Sequence, residues 1–183
     1  MPFLTKLAAL LAIFVLVNTC ACKSDFRKLD LDNILVQDGD LPAGFSAAQI
    51  SNDVPYEVQL HKAPEPDRAI VRGLQRRGID TGTVFVLFYA DDARRAEAYT
   101  KLADFGSSER SEIHSRERTN PAGVGDQCTA MYYHSNEMRG IDFTTLVFSR
   151  GPAVVYINFD ETSDIPAIVA YAKRLDARLA AVL

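Results

Sequence analysis

Six consecutive residues, Val84-Phe85-Val86-Leu87-Phe88-Tyr89, are apolar or aromatic without a break. Successive side chains of a strand point to opposite faces, so this run has no face to give to water. A chain that carries it must cover the strand on both sides.

The flanking segments supply the rest of a sheet. Phe45–Ile50, Ala69–Arg76 and Thr83–Ala90 read as strands. Between the first two, Asn52–Asp67 is rich in proline, and the alternating Tyr56-Glu57-Val58-Gln59-Leu60 within it is expected as an edge strand. Asp91 is placed to cap a helix in which Ala96, Tyr99, Leu102 and Ala103 recur at helical spacing, and Gly106 ends it. Glu112–Arg118 is a polar edge strand. Cys128–Ser135, Ile141–Ser149 and Ala153–Phe159 then form a meander, connected by Asn136–Gly140 and by Arg150-Gly151-Pro152.

Ser163 or Asp164 caps the last helix, with Pro166 in its first turn. Its apolar stripe is Ile165, Ile168, Tyr171 or Ala172, Leu175, Leu179 and Val182, which leaves Lys173, Arg174, Asp176 and Arg178 outside. Short connections make the last strands antiparallel. The expected class is α+β: a single antiparallel sheet of about 6–8 strands with two main helices packed on it.

The start of the chain carries a different message. Lys6 is followed by an apolar run, Leu7–Val17, that as a helix reaches roughly 16 Å, about half the hydrocarbon thickness of a bilayer. It is too short to span and has the length of a signal-peptide core. The sequence that follows, Val17-Asn18-Thr19-Cys20-Ala21-Cys22, resembles a bacterial lipobox, whose cysteine takes a diacylglycerol and becomes the mature N-terminus. Cys22 has the favoured small residue before it and is the expected lipid anchor, with Cys20 the alternative. Ordinary cleavage after Ala21 without lipid satisfies the same signal pattern. The expected organisation is a lipoprotein signal peptide at 1–21, a tether at 22–29 and a single domain at 30–183. The expected address is the bacterial cell envelope, on the outer side of the cytoplasmic membrane or in the periplasm.

Beyond residue 21 the chain has 19 Lys and Arg against 24 Asp and Glu. This mildly acidic balance excludes a general attraction to nucleic acid. Cys128 is alone in the folded part. A thiol nucleophile would need one of His61, His114 or His134 as its base, and a strand-opening cysteine beside Thr129 and Ala130 reads instead as a small buried hydrophobe. The three histidines are scattered without ligand spacing, so no metal and no cofactor is expected. Neither a Gly-x-Ser-x-Gly elbow nor a phosphate loop occurs. Carboxylate neighbours such as Asp38 with Asp40, or Asp91 with Asp92, read as turn and cap residues.

One charge pattern points to a ligand. Arg68, Arg72 and Arg76 share a strand face, interleaved with Ile70 and Leu74 and followed by Arg77. Such a row can grip a carboxylate, sulfate or acidic polysaccharide bidentately. The competing reading is a solvated sheet face, or pairing within the protein. Tyr132, Tyr133 and Tyr156 either line a pocket near it or pack across strands.

Four phrases carry a family likeness: Asp40-Leu41-Pro42-Ala43-Gly44-Phe45 after a short leading helix; Val124-Gly125-Asp126 before a strand; Phe148-Ser149-Arg150-Gly151 before a valine-rich strand; and the closing Ala172-Lys173-Arg174-Leu175-Asp176-Ala177-Arg178-Leu179. Together they resemble small bacterial lipoproteins and sensor-type extracytoplasmic domains, and the element order is similar to the Mog1/PsbP-type α+β fold. The resemblance implies a non-enzymatic binding or sensory domain with no catalytic residues to carry over. The chain departs from kinase-linked sensor domains in having no cysteine pairs and no attached kinase. The expected partners are the membrane, through the lipid, and an anionic ligand or envelope protein. A small envelope hydrolase, or an accessory subunit of a membrane complex, are the alternatives.

Overall fold

The computed structural model describes residues 26–29, 32–37, 39–104, 113–135, 141–160, 162 and 164–183. The expected signal peptide, Cys20, Cys22, Gly106 and the Asn136–Gly140 connection lie outside these residues. Seven strands form one sheet: β1 (Phe45–Ser51), β2 (Arg68–Arg76), β3 (Ile79–Phe88), β4 (Ile113–Thr119), β5 (Gln127–Ser135), β6 (Ile141–Arg150) and β7 (Ala153–Asp160). Their spatial order is β1-β2-β3-β7-β6-β5-β4, and every neighbouring pair is antiparallel. Two meanders, β1 to β3 and β4 to β7, are thus joined through β3 and β7. The α+β class with a single antiparallel sheet follows directly.

The two-sided strand has the cover it requires. Val84, Val86 and Phe88 enter an apolar cluster with Ile168, Tyr171 and Leu175 of helix α4 (Ile165–Val182). Phe85 and Leu87 enter a second cluster with Ala98 and Leu102 of helix α3 (Asp92–Ala103). Phe85 stacks on its cross-strand partner Tyr156, with centroids 4.6 Å apart and rings 6° from parallel. Tyr133 is buried as well, so these two tyrosines pack across strands and do not line an open pocket. Both long helices start on the expected signals: the Asp91 carboxylate accepts from the Arg94 amide, and Asp164 accepts from the Ala167 amide.

Gly82 is what allows β3 to lie against β7. A Cβ built there would sit 2.4 Å from the Asn158 carbonyl oxygen, so only glycine fits this approach.

Three expectations are corrected. Tyr56–Leu60 is a short helix, α2, not an edge strand. Pro55 presets its first turn, and only Val58 is buried, so the period-two pattern has no sheet face to satisfy. Asp176, expected on the outside of α4, is buried, because Arg150 and the Gly125 amide reach its carboxylate. The third concerns the expected tether to residue 29. Phe26 heads a 3-10 turn (Phe26–Lys28) and is buried, with its ring stacked on Phe88 at 5.3 Å, so residues 26–29 rest on the domain.

Candidate functional site

The arginine row of β2 occupies three different environments. Arg68 Nη1 donates to the Phe26 and Leu29 carbonyls at 2.6 and 3.0 Å and closes the 3-10 turn onto the sheet. Arg72 Nε donates to the Ala48 carbonyl at 3.1 Å, where β1 carries an extra residue against β2. Arg76 places its guanidinium 5.6 Å from the centre of the Phe45 ring. The row therefore does not present three equivalent guanidinium groups. Arg68 and Arg72 are committed to backbone carbonyls, and Arg76 lies over an aromatic ring at the end of the strand.

At that end β2 turns into β3 through only two residues. Arg76 pairs with Ile79, and the intervening Arg77 and Gly78 both have positive φ, 55° and 76°, as a type I′ hairpin turn requires. The turn was hidden in the sequence because arginine is uncommon at a left-handed position, where Asn or Gly is the usual signal. Two residues further on, the register slips: Gln75 faces Asp80 while Leu74 faces Gly82, so Thr81 is the extra residue of a β-bulge.

Arg76, Arg77, Ile79 and Thr81 line a half-open cleft of about 260 Å³ at the hairpin. Thr81 is 5% exposed, and its hydroxyl oxygen has no hydrogen-bond partner. Buried hydroxyls nearly always have one. Beside the cleft, Asp80 accepts from Gln75 Nε2 at 2.9 Å.

A second, more open cleft of about 480 Å³ lies between α3 and the loop that follows β4. Tyr99, Asn120, Asp126 and Thr129 of its lining all have hydrogen-bond partners within the protein. The Tyr99 hydroxyl and Thr129 Oγ1 are 3.0 Å apart, Thr129 reaches Asn120 Oδ1 at 3.3 Å, and Asp126 accepts from the Gly151 amide and Arg150. Cys128 forms part of its floor but is 8% exposed and belongs to the apolar cluster under α4. Burial, reinforced by the Asp176 charge, pushes its thiol up to about 12, which leaves almost no thiolate at neutral pH. His61 lies on the far side of the chain order, at the end of α2. The side chains of His114 and His134 lie outside the description. Among the described residues no cluster of three metal-ligating side chains occurs.

The phrases that carried the family likeness meet as structural ties. Asp40 takes Arg178 Nη2 at 2.7 Å and Arg174 Nε at 3.3 Å, and Arg178 Nε also donates to the Ile34 carbonyl at 2.9 Å. These contacts tie the leading segment, including helix α1 (Asp32–Leu35), to α4. Burial raises the Asp40 carboxyl, but the Arg178 hydrogen bond, the Gln37 amide and the two arginine charges outweigh it, and the group titrates below the usual carboxylate range. Arg150 links the second and third phrases to the fourth through Asp126 and Asp176. No helix among the described residues is long and apolar enough to cross a membrane. Compared with known proteins, the chain matches no family model and no curated relative.

Proposed function

We propose that the protein is a lipid-anchored extracytoplasmic domain that binds a ligand without transforming it, held at the bacterial envelope through Cys22, with Cys20 as the alternative anchor. The address rests on the short apolar run and the cysteines beyond it. The binding role rests on one observation: the hairpin cleft is lined by two permanently charged side chains, Arg76 and Arg77. Arginine, threonine and isoleucine can hold a ligand, but none of the four lining side chains is a general base. The likeness to sensor-type lipoproteins points the same way.

Two measurements test this reading. Intact-mass spectrometry of the protein from native membranes should show a diacylglyceryl cysteine at the new N-terminus. Thermal-shift screening against small anions, envelope polysaccharides and metabolites should raise the melting temperature with an anionic ligand. Recovery from the cytosol with Met1 in place and no acyl mass would overturn the address. A flat screen would overturn the small-ligand role.

A second reading, an accessory subunit of a membrane complex, is favoured by Tyr56 and Leu60. They are four residues apart on α2 and both exposed. Co-purification of a membrane protein that is lost in a Tyr56→Ala, Leu60→Ala double variant would support it.

A further inference from the structure

We infer that the end of the sheet carrying Phe26 is seated on the bilayer surface, with the β2–β3 hairpin as the outward pole. The inference rests on the lipid anchor proposed above and goes beyond it by giving the domain an orientation.

Phe26 is the fixed point. Its ring stacks on Phe88 and Arg68 holds its carbonyl at 2.6 Å, so it moves with the domain. Only three residues separate it from Cys22. Whatever path they take, four steps of chain reach at most about 14 Å, and the six steps from Cys20 about 21 Å.

The surroundings of Phe26 define one end of the domain. Phe88 pairs with Ala153, the first residue of β7, directly after the Gly151-Pro152 turn. Leu183, just past α4, lies against Gly151, so the last turn of α4 stands at the same end. From there β2 runs from Arg68 to Arg76, which places the hairpin roughly 27 Å away at about 3.3 Å per residue. A pose with the hairpin toward the lipid would lift Phe26 by that distance, beyond the reach of either cysteine.

The surface of this end suits a bilayer. Ala180 and Ala181 are exposed and Val182 is 37% exposed, an uncharged helical turn that the interface can cover. Asp67, Asp92 and Asp126 stand at the same end, and each pairs with an arginine (Arg94, Arg95 and Arg150) at 3.1–3.2 Å. The pairing offsets their repulsion of anionic headgroups.

The test uses the acylated full chain in vesicles of phosphatidylethanolamine and phosphatidylglycerol that carry a gadolinium-chelating headgroup lipid. Paramagnetic relaxation is then read at backbone amides. Enhancement at Gly151 and Val182 should exceed that at Gly78 and Ile165 at least tenfold. An Ala181→Asp, Val182→Asp double variant should lower the Val182-to-Ile165 ratio at least threefold with the fold unchanged. Enhancement that is uniform along α4 would mean that the domain lies on its side and would overturn the seat, as would a maximum at Gly78. A ratio unchanged in the double variant would remove the apolar turn from the contact. Acyl mass on Cys22 or Cys20 with uniform enhancement sinks the seat alone, whereas a chain without acyl mass sinks the anchor and the seat together.

Discussion

The Arg150 guanidinium takes both oxygens of the Asp176 carboxylate, Nε to Oδ1 and Nη2 to Oδ2, each at 2.6 Å. The pair joins the β6–β7 turn to α4, and Asp176 Oδ2 also accepts the Gly125 amide at 2.9 Å. Asp176→Asn keeps the shape and removes the charge, leaving Arg150 facing a neutral amide. Loss of one partner from a fully buried pair costs about 3–5 kcal/mol, and the 30% exposure of the Arg150 side chain reduces this to about 2–3 kcal/mol. The melting temperature should then fall by about 6–10 °C. A fall under 2 °C would mean that the pair is solvated and contributes little.

The same carboxylates set the acid limit of the fold. Burial raises Asp176, but its Arg150 hydrogen bonds, the Gly125 amide and the Arg150 charge dominate, so its folded pKa is depressed, as it is for Asp40. A depressed folded pKa contributes stability that is fully present above the unfolded value, about 3.9, and is lost as pH falls through the folded value. Melting temperature should therefore drop steeply below about pH 4. The Asp40→Asn, Asp176→Asn double variant, less stable at pH 7, should show a flatter acid limb. Parallel acid limbs would rule these two groups out as its source.

Gly82 gives a test of the joint between the two meanders. Alanine there places a methyl 2.4 Å from a backbone oxygen of β7, and neither partner is a flexible side chain that can move aside. Overpacking of this kind costs about 1–3 kcal/mol, and a backbone clash belongs at the upper end. Urea unfolding of Gly82→Ala should give a midpoint well below that of the parent with an unchanged slope. An unchanged midpoint would show that the strands part without cost.

The sheet was legible because its strongest signal was local. A six-residue run of β-branched, aromatic and aliphatic residues with no polar face reads as a covered strand, and Asp91 and Asp164 mark helix starts by a side chain that reaches an amide three residues on. What stayed hidden depends on partners distant in sequence. Asp176 looks like a surface residue of an amphipathic helix until Arg150, 26 residues earlier, is folded against it. Tyr56–Leu60 alternates like a strand, and its helical state reflects Pro55 and the seat of Val58 under α3. In the candidate site, the arginine row was visible, but its division was not. Which guanidinium meets a carbonyl depends on where Phe26, Leu29 and Ala48 fall. The bulge at Thr81 arises from pairing register, which has no single-residue signature.

Cys128 should behave as a core residue toward reagents. With the thiol pushed up to about 12, alkylation by iodoacetamide at pH 8 should be slower than for a free thiol by two orders of magnitude or more, and should become fast in urea. Peptide-resolved mass spectrometry reads Cys128 separately from Cys20 and Cys22. Rapid labelling of the native protein would mean that the cleft floor opens, and would restore the hydrolase alternative.

The hairpin cleft should also show itself in stability without any ligand. A buried hydroxyl left without a partner costs about 1–3 kcal/mol, so Thr81→Val, which keeps the shape and removes the oxygen, should stabilise the protein by about 1 kcal/mol, or about 2–4 °C in melting temperature. Arg77→Gly relieves a left-handed arginine, but the added freedom of glycine in the unfolded chain offsets the gain, so it should be neutral within about 0.5 kcal/mol. A residue placed for packing alone is destabilising to replace. A fall in melting temperature for Thr81→Val would mean that its hydroxyl has a partner in solution.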